Sequence, residues 1–246
     1  MAENTKIEWA RHTWSPWIGC QKVSPACDNC YAEALNKRAG GGNWGPGAPR
    51  RRTSEAYWKQ LPKWNRQAIA AGERPFVFPS MCDPFDNAVD PSWRRDFFDA
   101  MRAAPQLVFL LLTKRIGNAI DMTDAAGGWP PNAAAGITVI NQAEYDRDRL
   151  KLHALKVLRP QPLFTFGSFE PLLGPIIIDR FAPDWIIVGG ESGPKAREMD
   201  ADWARSIQDQ CARHERLFFM KQMSRRAAIP ADLMVREVPL RAKEGR

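Results

Sequence analysis

From residue 76 onward the chain repeats one pattern: an unbroken apolar run, a polar cluster at its end, then a stretch whose apolar residues recur at helical spacing. FVFPSMCD (76–83) leads into PSWRRDFFDAMRAA, where Trp93, Phe97, Phe98 and Met101 mark one helix face. LVFLLLTKR (107–115) leads into IGNAIDM, and AGITVINQ (135–142) into AEYDRDRLKLHALKVL, with Tyr145, Leu150, Leu152 and Leu155 as its apolar positions. PLFTFGSFEP (162–171), DWIIVGGESG (184–193) and RLFFMKQ (216–222) continue the series, with ADWARSIQDQCARH as the helix between the last two. Strands that are apolar throughout, rather than at alternate positions, belong to parallel sheets covered on both faces. With HTWSPWIG (12–19) as a first strand, the pattern predicts about seven β/α units in one domain spanning 1–246. The fold class is therefore α/β, a complete or partial TIM-like parallel barrel.

Every polar cluster sits at the C-terminal end of its apolar run, the end at which such barrels carry their active sites. The expectation is one mouth shared by Cys20–Cys30, Ser80, Asp83, Thr113, Lys114, Arg115, Thr138, Asn141, Ser168, Glu170, Gly189–Ser192, Lys221 and Gln222. Residues 40–75 interrupt the repeat with a Gly/Pro-rich segment followed by a basic, Trp-containing helix. This reads as an insertion after the first unit that can lie over the mouth, with a plain linker as the alternative.

Charge adds a preference for anionic partners. The formal net charge is +7, and the basic residues cluster at Arg50–Arg52, Lys114–Arg115, Lys221 and Arg225–Arg226. Such clusters suit nucleic acid or a phosphorylated substrate, although charge alone is equally consistent with a solvated face. No apolar run reaches membrane-spanning length, and the N-terminus lacks the apolar stretch of a secretion signal. The expected location is the cytoplasm, where thiols stay reduced and a cysteine cluster more often binds metal than forms disulfides.

Three of the five cysteines fall in TWSPWIGCQKVSPACDNCYAE (13–33), spaced C-x6-C-x2-C. A closed zinc site needs four ligands, so His12 or Cys82 would have to join Cys20, Cys27 and Cys30. A [4Fe–4S] cluster on three thiolates instead leaves one iron free for a cofactor or substrate. That is the requirement of reductive S-adenosylmethionine cleavage, whose usual spacing has a shorter first gap, C-x3-C-x2-C.

Together with LLLTKR, GITVINQ, FEPLLGPI and WIIVGGESGPKAR…DWARSIQDQC, this segment resembles the phage-associated three-cysteine family across nearly the whole chain. That family resembles a branch of the radical-SAM barrel superfamily, and the order of polar clusters is also similar to spore photoproduct lyase and related DNA-repair enzymes. The resemblance implies Cys20, Cys27 and Cys30 as ligands of a [4Fe–4S] cluster that works with S-adenosylmethionine. It implies Ser80 and Asp83 near the methionine amine, and Lys114, Thr138, Asn141, Ser168 and Glu170 near ribose and carboxylate. Glu191 falls late in the barrel, facing substrate or adenine, and Phe169 stands where relatives often carry Cys. A flavodoxin or ferredoxin is the implied electron donor, and a phage-encoded copy would work in the host cytoplasm.

The expected activity is hydrogen abstraction from a nucleobase or modified nucleotide, by an isomerase or lyase, in DNA hypermodification or repair-type chemistry. A radical enzyme acting on a small molecule or protein, and a zinc- or iron–sulfur-stabilised binding module, are the competing classes. Glu191, Ser192, Arg115, Lys221 and Cys82 are the substrate or catalytic candidates. Plainer readings stand beside these: Glu191 as a turn cap, Arg115 as a solvated cation, Cys82 as a small buried thiol, and for Glu170 an ion pair with Lys221 or Arg115. Cys211, within a helical stretch, reads as core.

Overall fold

A computed structural model describes residues 3–239. In chain order its strands are β1 (His12–Thr13), β2 (Trp17–Ile18), β3 (Arg51–Arg52), β4 (Phe76–Phe78), β5 (Val108–Thr113), β6 (Ala133–Thr138), β7 (Thr165–Phe169), β8 (Trp185–Gly189) and β9 (Leu217–Gln222). The helices are α1 (Tyr31–Arg38), α2 (Glu55–Trp58), α3 (Gln60–Ala71), α4 (Pro91–Arg102), α5 (Ala119–Ala125), α6 (Gln142–Ala154) and α7 (Ala201–Arg213). Seven strands form one sheet in the order β1-β4-β5-β6-β7-β8-β9, each pair parallel. The sheet curls into a half-barrel with β1 and β9 at its edges. The repeat therefore yields the expected parallel units but an open barrel.

Both faces of the sheet are buried, as unbroken apolar strands require. On the outer face Phe109, Leu111, Ile137, Ile186 and Val188 pack with helix residues Phe97, Met101, Tyr145, Leu152 and Ile207 in one core cluster. On the inner face Phe78, Val108, Leu110, Phe166, Trp185, Ile187 and Phe219 form a second cluster around Trp9. Trp9 lies against Phe78 at 4.6 Å between ring centroids and plugs the concave side below the mouth. The alternation of strand side chains thus sorts one continuous apolar run into two cores.

Helix ends follow local chemistry. Asp90 caps α4 by accepting from Ser92 N at 2.8 Å, with Pro91 at the first helical position. Asp200 caps α7 in the same way at 2.9 Å, and Gly72, left-handed at φ 66°, ends α3. Cys211 is buried on α7, as its sequence context predicts. No helix among the described residues is long and apolar enough to cross a membrane.

Two predicted features take a different form. HTWSPWIG is not one strand: β1 ends at Thr13, and Pro16, which has no N–H to donate, marks the departure from the sheet. β2 then pairs antiparallel with β3, Trp17 opposite Arg52 and Ile18 opposite Arg51. The helical part of 40–75 is the crossover to β4, not a cover for the mouth, since Leu61, Trp64 and Ala68 bury against the outer core. The segment before it does reach the mouth: Gly45 N donates to Cys20 O at 2.9 Å, beside a bridge between Cys20 and Trp44. The buried Arg50–Asp86 ion pair, 2.7 Å, fixes the far end of this segment.

The open edges are covered. Beside β9, Met220 N donates to Val235 O and Glu237 N to Phe218 O, at 2.8 and 3.0 Å. Arg236 then pairs with Glu8 at 3.1 Å, joining the C-terminal segment to the residues preceding β1. These contacts satisfy backbone groups that an open edge would expose.

Gly136 on β6 lies under the Phe166 ring of its β7 partner, and a Cβ there would stand 2.3 Å from the ring. Gly136→Ala is expected to destabilise the fold by about 1–3 kcal/mol through overpacking. Urea unfolding measures this, and the penalty should shrink in a Phe166→Leu background, because the two positions share one space.

Candidate functional site

The C-terminal ends of the strands surround a cavity of about 720 Å³, within the range of small-molecule sites. Its floor includes Ile7, Trp9, Phe78 and Leu112. Its wall carries the next inward positions of the same strands: Ser80 beyond β4, Thr138 on β6, Ser168 and Glu170 at β7, Lys221 on β9. One inward step along each strand exchanges an apolar residue for a polar one, so pleat parity builds the chemistry of the mouth.

Cys20, Cys27 and Cys30 line this cavity, together with Cys82. All are free and partly exposed. Cys27 closes a single helical turn capped by Ser24, whose hydroxyl accepts from Ala26 N at 3.1 Å, and Cys30 immediately precedes α1. Burial pushes the Cys20 thiol up to about 11, the Asp83 carboxylate adding to the rise and Arg115 opposing it. Burial, then Asp83 and Cys20, pushes Cys82 well above the ordinary thiol range.

As placed, no three His, Cys, Asp or Glu side chains among the described residues converge closely enough to hold a metal ion. The thiols share a wall without forming a closed site. Their donor chemistry nevertheless fits a thiolate-ligated group, because three unpaired cysteines from one loop face one cavity. The turn carrying Cys27 has no buried residue and is the part that would close on such a group. His12 does not complete the set: it stacks on Trp64 at 4.3 Å between centroids, and its Nδ1 accepts from Asn4 N at 3.3 Å.

The predicted binding residues divide by what already occupies them. Thr138 and Ser168 are buried at the cavity wall, and neither hydroxyl has a hydrogen-bond partner among the described residues. Ser80 also lines the wall but is already engaged with the Tyr31 hydroxyl, through its carbonyl, which accepts at 3.1 Å, and through its own side chain. The Thr138 and Ser168 hydroxyls are groups that a ligand can satisfy. Glu170 is in an ion pair with Lys221, its expected partner.

Asp83 is spent. Its Oδ1 accepts from Thr113 Oγ1 at 2.6 Å and Phe85 N at 3.0 Å; its Oδ2 accepts from Arg115 Nη1 at 2.8 Å and Lys114 N at 3.2 Å. A carboxylate with four donors has no ready lone pair for a ligand amine, so Asp83 positions neighbours. Arg115, predicted to meet substrate, extends this hub: it donates to Gln21 O at 3.0 Å and approaches Cys20 Sγ at 3.6 Å. Asn141 lies off the cavity wall and caps α6, accepting from Glu144 N at 3.0 Å. In return Ile140 N donates to Glu144 Oε2 at 3.2 Å, a reciprocal cap that Asn141-x-x-Glu144 encodes.

Glu191 also differs from expectation. Although it lines the cavity, its carboxylate accepts from Asn29 Nδ2 and Arg197 N, both at 2.8 Å, and pairs with the Arg197 guanidinium. Arg197 reaches on to Pro25 O at 3.0 Å and to Asp28 at 3.5 Å. The loop after β8 is thereby strapped to the cysteine loop, across the open side of the half-barrel. Gly190 serves the same strap, since a Cβ there would meet Ser224 N at 2.5 Å; the close approach is to backbone. Ser192 remains at the wall. Sequence reading missed Asn29, Tyr31, Trp44 and Arg197, although Asn29 and Tyr31 stand inside the quoted cysteine segment and Arg197 inside the quoted GGESGPKAR segment.

The fold and site define an open parallel α/β barrel with a cysteine-lined cavity at the C-terminal ends of its strands. The model of a family described as "Protein of unknown function (DUF5131)" matches residues 4–238, and the chain belongs to that family. No curated protein and no solved structure matches it.

The strap has a measurable consequence. Burial works to raise the Glu191 pKa, but Arg197 and the Asn29 amide outweigh it and hold the carboxyl below the ordinary 4.5. A depressed pKa stabilises above the unfolded value and ceases to do so as pH falls through the folded one. Glu191→Ala should increase tryptic cleavage within 22–37 and 195–197 several-fold at neutral pH. The thermal stability gap between variant and wild type should narrow as pH drops below 4.5. Equal cleavage of the two proteins would show that the strap does not hold the loop.

Proposed function

We propose that this protein is a radical S-adenosylmethionine enzyme acting on a nucleobase or modified nucleotide. One observation carries the reading: three free cysteines from the loop after the first strand line the same cavity as the Ser80 hydroxyl and the unpartnered hydroxyls of Thr138 and Ser168. Cys20, Cys27 and Cys30 would hold a [4Fe–4S] cluster. When bound, that cluster supplies one-electron reductive cleavage of S-adenosylmethionine and, through it, hydrogen abstraction from substrate.

The chain's own residues supply binding and exclusion. The Thr138 and Ser168 hydroxyls, at fixed inward positions on β6 and β7, and the Ser80 hydroxyl just beyond β4 present donors and acceptors to the polar edges of the cofactor. Glu170 is oriented by its ion pair with Lys221, adding a carboxylate that can accept from ribose or amine. Ile7, Trp9, Phe78 and Leu112 close the bottom of the cavity with apolar surface, which keeps water from a reactive species. Cys82, held as a protonated thiol by burial, offers a hydrogen atom from the wall. Asp83 and Arg115 fix the approach of Cys20.

Net charge of +7 and the cations around the mouth favour a nucleotide substrate over a neutral small molecule. A base in a duplex would have to be flipped out to enter. Free thiols and the need for an external one-electron carrier, a flavodoxin or ferredoxin, fit a reducing cytoplasm.

The test is anaerobic reconstitution followed by iron and sulfide analysis, then S-adenosylmethionine and dithionite with assay for 5′-deoxyadenosine. The expected result is about four irons per chain, with product lost in Cys27→Ala. Stoichiometric zinc and no nucleoside product would leave a metal-stabilised binding module instead.

A further inference from the structure

Behind one wall of the mouth lies a second cavity, of about 350 Å³, which the proposed reaction does not use. The two cavities share Gln21, Val23, Lys114 and Arg115, so their linings are continuous beside the cysteine loop. Its chemistry is unlike that of the first. Lys114, Arg115, Arg147 and Lys151 line it, with Asn87 and Asn118 adding amides, and Asp148 is its one acidic residue.

The charges are arranged rather than merely gathered. Asp148 is buried on α6 and accepts from Arg147 Nε at 3.1 Å and from Lys151 Nζ at 3.2 Å, holding both cations on this side of the helix. Arg115 is held by Asp83 at 2.8 Å. Two carboxylates therefore orient three cations, and positive charge remains in excess. The Lys114 ammonium is half-buried and has no partner among the described residues, although its main-chain N–H is fixed on Asp83 at 3.2 Å. An unpaired ammonium beside two guanidinium groups is the chemistry of an anion site, and planar guanidiniums favour phosphate oxygens.

We propose that this second cavity is a phosphate subsite: it binds a phosphate of the substrate nucleotide while the base occupies the mouth. The inference rests on the nucleotide reading of the mouth and specifies it, for the substrate must carry phosphate next to the reacting nucleoside. Either a free nucleoside monophosphate or a phosphodiester within a strand supplies that group.

The experiment needs neither cluster nor reductant, so its outcome is separate from that of the deoxyadenosine assay. Fluorescence anisotropy of a labelled short single-stranded DNA is followed against full-length protein, with a nucleoside monophosphate, the nucleoside and inorganic phosphate as competitors. Lys114→Glu should weaken binding about tenfold and reduce the salt slope by about one. Arg213→Glu makes the same charge change on an exposed residue at the end of α7, below the opposite end of the strands, and should change affinity little. Both variants are checked for wild-type thermal stability. Competition by monophosphate at concentrations where nucleoside is inert supports the subsite and assigns it to free nucleotide. Competition only by unlabelled oligonucleotide, combined with the Lys114→Glu loss, supports it and assigns the phosphate to a strand. Equal weakening by the two substitutions, or equal competition by nucleoside and monophosphate, would overturn the proposal.

Discussion

Side chains on a strand alternate between faces, and in a sheet buried on both faces neither set can be left to solvent. Most features of this molecule follow from that constraint. Phe109, Leu111 and Ile137 go outward to the helices, while Val108, Leu110 and Ala134 go inward to a floor plugged by Trp9. Continuing the inward register past the floor brings Thr138, Ser168 and Glu170 to the cavity. The mouth is thus the polar end of the same rows that form the inner core.

An open barrel must also control its gap, and charge performs that work at both levels. Low in the structure Arg236 reaches Glu8. At the mouth Glu191 and Arg197 bind the loop after β8 to Asn29, Pro25 and Asp28 of the cysteine loop. On the opposite flank Asp83 gathers Thr113, Lys114 and Arg115 and hands one guanidinium on to Cys20 and Gln21. The cysteine loop is therefore gripped from two sides, while the turn between, which carries Cys27, stays unburied. A group whose hydrogen-bonding capacity is filled, as that of Asp83 is, is not available to a ligand, and the hydroxyls left over define where a ligand finds unmet hydrogen bonds at the mouth.

The repeating apolar runs made the parallel sheet legible, because nothing else buries both faces of such short strands. The face of each polar residue at a strand end was legible only in part. Thr138 and Ser168 sit within their strands, where parity decides direction, and both face the cavity. Asp83, Asn141 and Glu191 lie beyond their strands, where parity alone does not decide direction, although Ser80 and Glu170 keep it; each of the three was captured by a neighbouring donor. Asn141-x-x-Glu144 carried a readable capping signal, whereas the Asn29–Glu191 contact spans 162 positions and has none. The first strand was overestimated because an apolar run continued through Pro16, whose missing N–H outweighs it.

The central claim is that the cysteine loop and the hydroxyl-lined wall form one cofactor site. Electron paramagnetic resonance of the reduced, reconstituted protein, recorded before and after adding S-adenosylmethionine, tests it most directly. The account predicts a reduced-cluster signal whose shape changes on addition, because the cofactor would occupy the open position beside Ser80, Thr138 and Ser168. A signal indifferent to S-adenosylmethionine would contradict it.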